Sequence, residues 1–128
     1  MRGECSSRMN LGLRHGEAIE VRVRGLCMRG LEDGARIRIR RRRFYLPGDI
    51  VMVRRMDHWN IHRLLGVAPG RRGWLVLTSA DYGARHDPPR PLQELVGRVE
   101  QSVTLQDRLR ALGGYVRVSV ERVLAWRS

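Results

Sequence analysis

The sequence predicts a mostly β fold: a compact antiparallel sandwich or barrel-like domain to which the C-terminal segment could add a helix. Short segments alternate apolar and polar residues, which is typical of half-buried strands. Turn signals rich in glycine, proline and aspartate separate these segments. A chain of 128 residues is long enough to bury a modest core in one domain.

Six segments carry the strand pattern, and the clearest is 18–24, where every second residue is apolar. The predicted strands cover 18–24, 35–41, 50–53, 59–66, 74–78 and 95–103. Turns are expected at Asp33-Gly34, Pro47-Gly48-Asp49 and 70–73, and a loop over 79–91. We interpret Asp49 as a structural turn residue.

The chain divides into three stretches. Residues 1–17 are polar and contain glycine, so we expect them to be flexible or loosely docked. Residues 18–104 form the domain proper. Residues 105–128 combine helical spacing of leucines with strand-like spacing of valines, and Gly113-Gly114 between the two patterns predicts a break. Helix, strand and docking arm all remain open for this segment, which we expect to pack on the domain.

Composition points to anionic partners. The net charge is +12 and is carried by arginine alone, since the chain contains no lysine. Such a charge favours nucleic acid, acidic peptide or lipid headgroups, although a GC-rich genome also produces arginine-rich, lysine-free chains. The run Arg40, Arg41, Arg42 and Arg43 is the candidate phosphate contact, and a solvated loop is its alternative.

Location and redox state follow from what the sequence contains. It has neither an apolar run long enough to cross a membrane nor an apolar stretch near Met1 typical of a secretory signal. We therefore expect a cytoplasmic protein. Cys5 and Cys27 are then expected to be free thiols rather than a disulfide.

A thiol, an imidazole and two carboxylates form the candidate catalytic set. Cys27 follows the first predicted strand, His62 lies in a later one, and Asp81 and Asp87 lie in the long loop. An imidazole can hold a thiol as a thiolate, and a carboxylate can fix the imidazole tautomer. We expect Asp81 to position His62, with Asp87 as the other candidate. Turn chemistry is the alternative role for both aspartates.

The order of short motifs resembles the superfamily of signal peptidase I and the self-cleaving SOS-type repressors. Gly-Leu-Cys-Met, Gly-Asp-Ile-Val, His-Arg, an aspartate-bearing loop and Val-Gly-Arg-Val follow one another from about residue 21 to residue 99. The resemblance implies a compact β fold in which Cys27 occupies the position of the nucleophilic serine. It implies that His62 is the base, as in the histidine branch of the family, and that Asp81 and Asp87 match that branch's loop aspartates.

The resemblance also implies how a substrate would bind. Family members bind an extended peptide as an added strand beside the nucleophile. The corresponding substrate-binding residues here are Ile19, Val21, Val23, Gly25 and Met28. The expected activity is cleavage of a peptide or leader by acyl transfer.

Two alternatives stay open. The fold could be a catalytically inactive module that binds peptide or nucleic acid, or an arginine-rich barrel that binds RNA. A metal site built from Cys27, His58 and His86 matches no compact zinc spacing. We therefore expect no metal and no cofactor.

Overall fold

The computed structural model describes residues 4–5, 16–23, 31, 34–55, 58–81 and 86–127. Within these ranges the chain forms eight strands, one short 3-10 helix and one long α-helix. In chain order they are β1 (Glu4–Cys5), β2 (Ala18–Arg22), β3 (Arg36–Arg40), β4 (Ile50–Arg55), β5 (His58–Gly70), β6 (Gly73–Ser79), β7 (Arg90–Pro91), the 3-10 helix (Leu92–Glu94), β8 (Leu95–Val99) and α1 (Leu105–Arg127).

The strands form a single antiparallel sheet that curls into a half-barrel, which confirms the predicted mostly β fold. The strand order is β2-β3-β8-β4-β5-β6-β7, and β1 pairs with β5 outside this path. From the stretch expected to be flexible, Glu4 and Cys5 thus join the sheet opposite Asn60 and Trp59. The pairing of β8 between β3 and β4 is non-local and closes the curl.

Strand β5 organises the sheet because it is 13 residues long and pairs with both β4 and β6. The expected turn after it is present, with Gly70 opposite Gly73 in the register. Gly73 has φ +126°, a conformation that favours glycine. A bulge between Leu64 and Gly66 shifts the register along β5.

Apolar side chains pack in three clusters. The largest contains Val21, Ile39, Met52 and Ile61 among others. The second lies on the other face of β4 and β5 and consists of Val51, Val53, Leu64, Val76 and Leu95. The third joins sheet to helix and consists of Leu65, Ala68, Leu77, Ala111 and Val118.

The C-terminal segment is one continuous helix, so the predicted break at Gly113-Gly114 is wrong. Thr104 begins it as a capping box: its Oγ1 accepts from the Asp107 N–H at 3.1 Å, and Asp107 Oδ2 accepts from the Thr104 N–H at 3.3 Å. Gly114 serves packing instead, since a Cβ there would lie 3.1 Å from Leu65 Cδ2. The apparent strand spacing of the valines was coincidental.

The last strand is shorter than predicted. The predicted strand over 95–103 ends at Val99, and the chain then leads into the helix cap. In the described part of the chain, no helix has the length and apolar character needed to span a membrane.

Candidate functional site

His62 lies in the middle of β5 and is buried, with 8% of its surface exposed. Its Nδ1 pairs with Oδ2 of Asp87. The same carboxylate oxygen accepts a hydrogen bond from Thr78 Oγ1 at 2.7 Å. The imidazole is therefore oriented by a carboxylate that is itself held in place, which is the arrangement that fixes a histidine tautomer.

The backbone brings Asp87 to this position. The long loop returns to β6 through an isolated bridge between Ser79 and His86. One residue later, the Asp87 N–H donates to the Thr78 carbonyl at 2.9 Å. Asp87 is thus anchored to Thr78 through both its backbone and its side chain, directly beside β5.

Asp81 has a different partner, which corrects the expectation that it positions His62. Arg63 Nε and Nη2 donate to the two Asp81 carboxylate oxygens at 3.0 and 2.7 Å. Arg63 Nη1 donates to the Gly48 carbonyl at 2.8 Å and lies 3.8 Å from Asp107 Oδ2. Asp81 therefore ties the loop to the helix side of β5, whereas Asp87 is the carboxylate at the imidazole.

The positive charge of Arg63 is balanced by nearby carboxylates. Burial alone would lower the pKa of Arg63, but the hydrogen bonds and charge of Asp81, aided by Asp107 and Asp49, raise it above its usual value. Arg63 thus remains a cation, matched by carboxylates. This cluster is a buried brace between β5 and α1.

Asp49 proves structural, as its sequence context suggests. It is 1% exposed, and its Oδ2 accepts from the Leu46 N–H at 2.8 Å. Arg108 Nη1 donates to its Oδ1 at 3.1 Å, and Arg98 Nε lies 3.5 Å from the same oxygen without hydrogen-bond geometry. The turn before β4 is thereby locked to the helix.

Cys27, Gly25 and Met28 lie outside the described residues. The chain on either side of them is anchored, since Val23 and Leu31 are both buried in the cluster that contains Ile61.

The other expected substrate-binding residues belong to β2. Val21 and Val23 are 7% and 4% exposed and belong to the core, with Ile19 packed against it. Their side chains support the fold. Among the described strands, β2 is an edge strand that pairs only with β3. A peptide could therefore bind to the main chain along the outer edge of β2.

The arginine run divides into two pairs. Arg40 binds Glu100 and the Gly16 carbonyl, and Arg41 Nη1 donates to the Leu95 carbonyl at 2.9 Å. Arg42 and Arg43 are exposed instead. The Arg43 guanidinium lies 5.9 Å from the centroid of Phe44, whose side chain is 75% exposed.

Sequence reasoning missed two members of the site: Thr78, which holds Asp87, and Arg63, which takes Asp81. Alternation along β5 could have indicated that His62 and Arg63 face opposite sides. It could not have indicated which aspartate reaches which side. Within the described ranges, no three His, Cys, Asp or Glu side chains are grouped to hold a metal ion.

The described residues thus define a curled antiparallel sheet with one packed helix and a carboxylate-oriented histidine. Comparisons of the chain with protein-family models, with curated proteins and with solved structures find no match.

Proposed function

We propose that this protein is a signal-peptidase-like peptidase in which Cys27, His62 and Asp87 carry out acyl transfer. The observation that supports it most is the pairing of Asp87 with Nδ1 of the buried His62. The Thr78 hydroxyl and the Thr78 carbonyl hold Asp87 in place, and a fixed carboxylate at Nδ1 is what a catalytic histidine requires. The resemblance to the peptidase superfamily supplies Cys27 as the nucleophile.

The proposed reaction uses the second ring nitrogen of His62. With Nδ1–H donating to Asp87, Nε2 is the acceptor that takes the proton from the Cys27 thiol. The thiolate attacks the peptide carbonyl, and the leaving amine receives the proton back from His62. Water then hydrolyses the thioester and regenerates the thiol. An extended peptide would present its carbonyl by adding to the main-chain edge of β2.

Alkylation kinetics test this proposal, because a free thiol has a reference pKa of about 8.5 and an imidazolium partner lowers it. Iodoacetamide labelling of Cys27 is followed by mass spectrometry over pH 5 to 9, with Cys5 in the same chain as the internal control. We expect Cys27 to react at lower pH than Cys5, and His62→Ala to remove the difference. An ordinary thiol profile at Cys27 in the folded protein would contradict the proposed ion pair.

Digestion of a peptide library tests the catalytic step itself. The library is incubated with the wild type, with Cys27→Ala and with Asp87→Asn, and new termini are identified by mass spectrometry. We expect cleavage to disappear in Cys27→Ala and to fall by about 100-fold or more in Asp87→Asn. Equal cleavage by wild type and Cys27→Ala would show that Cys27 is not the nucleophile.

A second candidate function is a catalytically inactive module that binds an anionic ligand. It is favoured by the exposed Arg42, Arg43 and Phe44, because guanidinium groups beside an exposed ring suit phosphates and stacked bases. Anisotropy with a labelled single-stranded oligonucleotide at two salt concentrations tests it. A loss of affinity in Arg42→Gln/Arg43→Gln, but not in an Arg71→Gln/Arg72→Gln control, would support this module.

A further inference from the structure

Helix α1 exposes a continuous apolar stripe on the side away from the sheet. Its buried side carries Ala111 and Val118, which pack beneath β5 and β6. The opposite side carries seven large apolar residues, each 45–73% exposed. They are Leu105, Leu109, Leu112, Val116, Val120, Val123 and Leu124.

The stripe is regular. Its steps of four, three, four, four and three residues hold from Leu105 to Val123, and Leu124 lies beside its last position. At about 100° per residue the seven positions fall within an arc of about 120° and extend for about 28 Å. An 11-residue repeat such as this drifts by about 20° per repeat on an ideal α-helix, which favours a slight right-handed supercoil. An apolar face of this width is typical of a helix that packs against another protein element.

Arginines flank the stripe on both sides. Arg110 and Arg117 are exposed along one flank. On the other flank, Arg122 and Val123 line one cleft together with Arg71 of the β5–β6 turn. Glu121 is also exposed on the first flank, but the flanking arginines outnumber it. A second copy of this chain would therefore place mainly arginines against arginines, and like charges across a seam oppose pairing.

We propose that α1 docks an amphipathic α-helix of a partner protein whose own apolar stripe is flanked by aspartate and glutamate. The apolar seams would supply the contact area, and the acidic flanks would pair with Arg110, Arg117 and Arg122. This surface lies on the helix side of the sheet, away from the His62–Asp87 pair, so the proposal is independent of peptidase activity.

The test uses two synthetic helical probes with the same leucine spacing. One carries glutamate at the flanking positions and the other carries lysine. Anisotropy titration of the full chain should show binding of the glutamate probe that weakens with salt, and at least about tenfold weaker binding of the lysine probe. Leu112→Gln/Val116→Gln should reduce the affinity by about tenfold or more. Arg110→Gln/Arg117→Gln should reduce it by about three- to tenfold.

Arg54→Gln, an exposed substitution in β4 outside the stripe, is the control, and thermal unfolding by circular dichroism verifies that each variant is folded. Equal binding of the two probes would overturn the proposal. So would a dimer detected by light scattering that Leu112→Gln/Val116→Gln converts to monomer, since a second copy would then occupy the stripe. A third outcome would also overturn it: the protein sediments with phosphatidylserine vesicles, Leu112→Gln/Val116→Gln abolishes this, and the two probes bind equally. The stripe would then be a lipid-binding surface.

Discussion

Replacing Asp81 with asparagine should destabilise the protein strongly, because Asp81 is the main counter-charge of a buried arginine. The Arg63 and Asp81 side chains are 9% and 14% exposed and share two hydrogen bonds. Breaking a buried ion pair on one side typically costs about 3–5 kcal/mol. Asp107, 3.8 Å from Arg63, remains as a second carboxylate, so we expect a loss of about 2–4 kcal/mol.

Urea unfolding followed by tryptophan fluorescence measures this effect. With a slope of about 1–3 kcal/mol/M, the expected loss lowers the unfolding midpoint by about 1–2 M. Glu20→Gln is the matched control, since its pair with Arg36 is 3.9 Å long and well exposed. That control should change the free energy of unfolding by no more than about 0.5 kcal/mol.

The same variant separates a structural role of Asp81 from a catalytic one. At a temperature where Asp81→Asn is fully folded, the alkylation rate of Cys27 should match the wild type, whereas Asp87→Asn should alter it. A change in stability below about 0.5 kcal/mol would refute the assignment of Asp81 as the brace of Arg63. A large change in the Cys27 alkylation rate in folded Asp81→Asn would indicate that Asp81, after all, acts on His62.

Two glycines and one exposed carboxylate give the remaining predictions. Gly66→Ala should lower stability by about 1–3 kcal/mol in thermal unfolding, because its Cβ would lie 2.7 Å from Tyr115 Cε2. Gly113→Ala, which meets no atom within 4 Å, should instead raise stability by up to about 1 kcal/mol. The hydrogen bond and charge of Arg40 lower the pKa of Glu100, so the stability this pair adds is present above the usual glutamate pKa and lost as pH falls through the lowered value. Glu100→Gln should therefore lower the urea midpoint at pH 7 and match the wild type in strong acid.

Most strands could be predicted from the sequence because their cause is local. In β2, alternation of side chains follows directly from one face being buried, and the glycine turn at 70–73 requires only its own residues. The position of β8 between β3 and β4 could not be predicted this way. It depends on contacts such as Ile39 opposite Val99, which are far apart in the chain.

The helix shows a different limit. Gly113-Gly114 resembles a break when each residue is weighed by its helix propensity alone. Gly114 lies close to the sheet, because a Cβ there would be 3.1 Å from Leu65 Cδ2 and Leu65 would have to shift to admit it. The contact between Gly114 and Leu65 joins residues that are far apart in the chain, so the local sequence around the two glycines does not reveal it.

The alternating side-chain directions along β5 determine which aspartate reaches His62 and which reaches Arg63. Neighbouring residues of a strand point to opposite faces. His62 and Arg63 therefore recruit partners on opposite sides of the same strand, and one loop supplies both: Asp81 as it leaves β6, and Asp87 as it returns. The Arg63–Asp81 ion pair fixes the start of the loop and the Asp87–Thr78 contacts fix its end. Asp87 is thus held by Thr78 on its own side of the strand, so Asp81→Asn should leave the His62–Asp87 pair in place as long as the protein is folded.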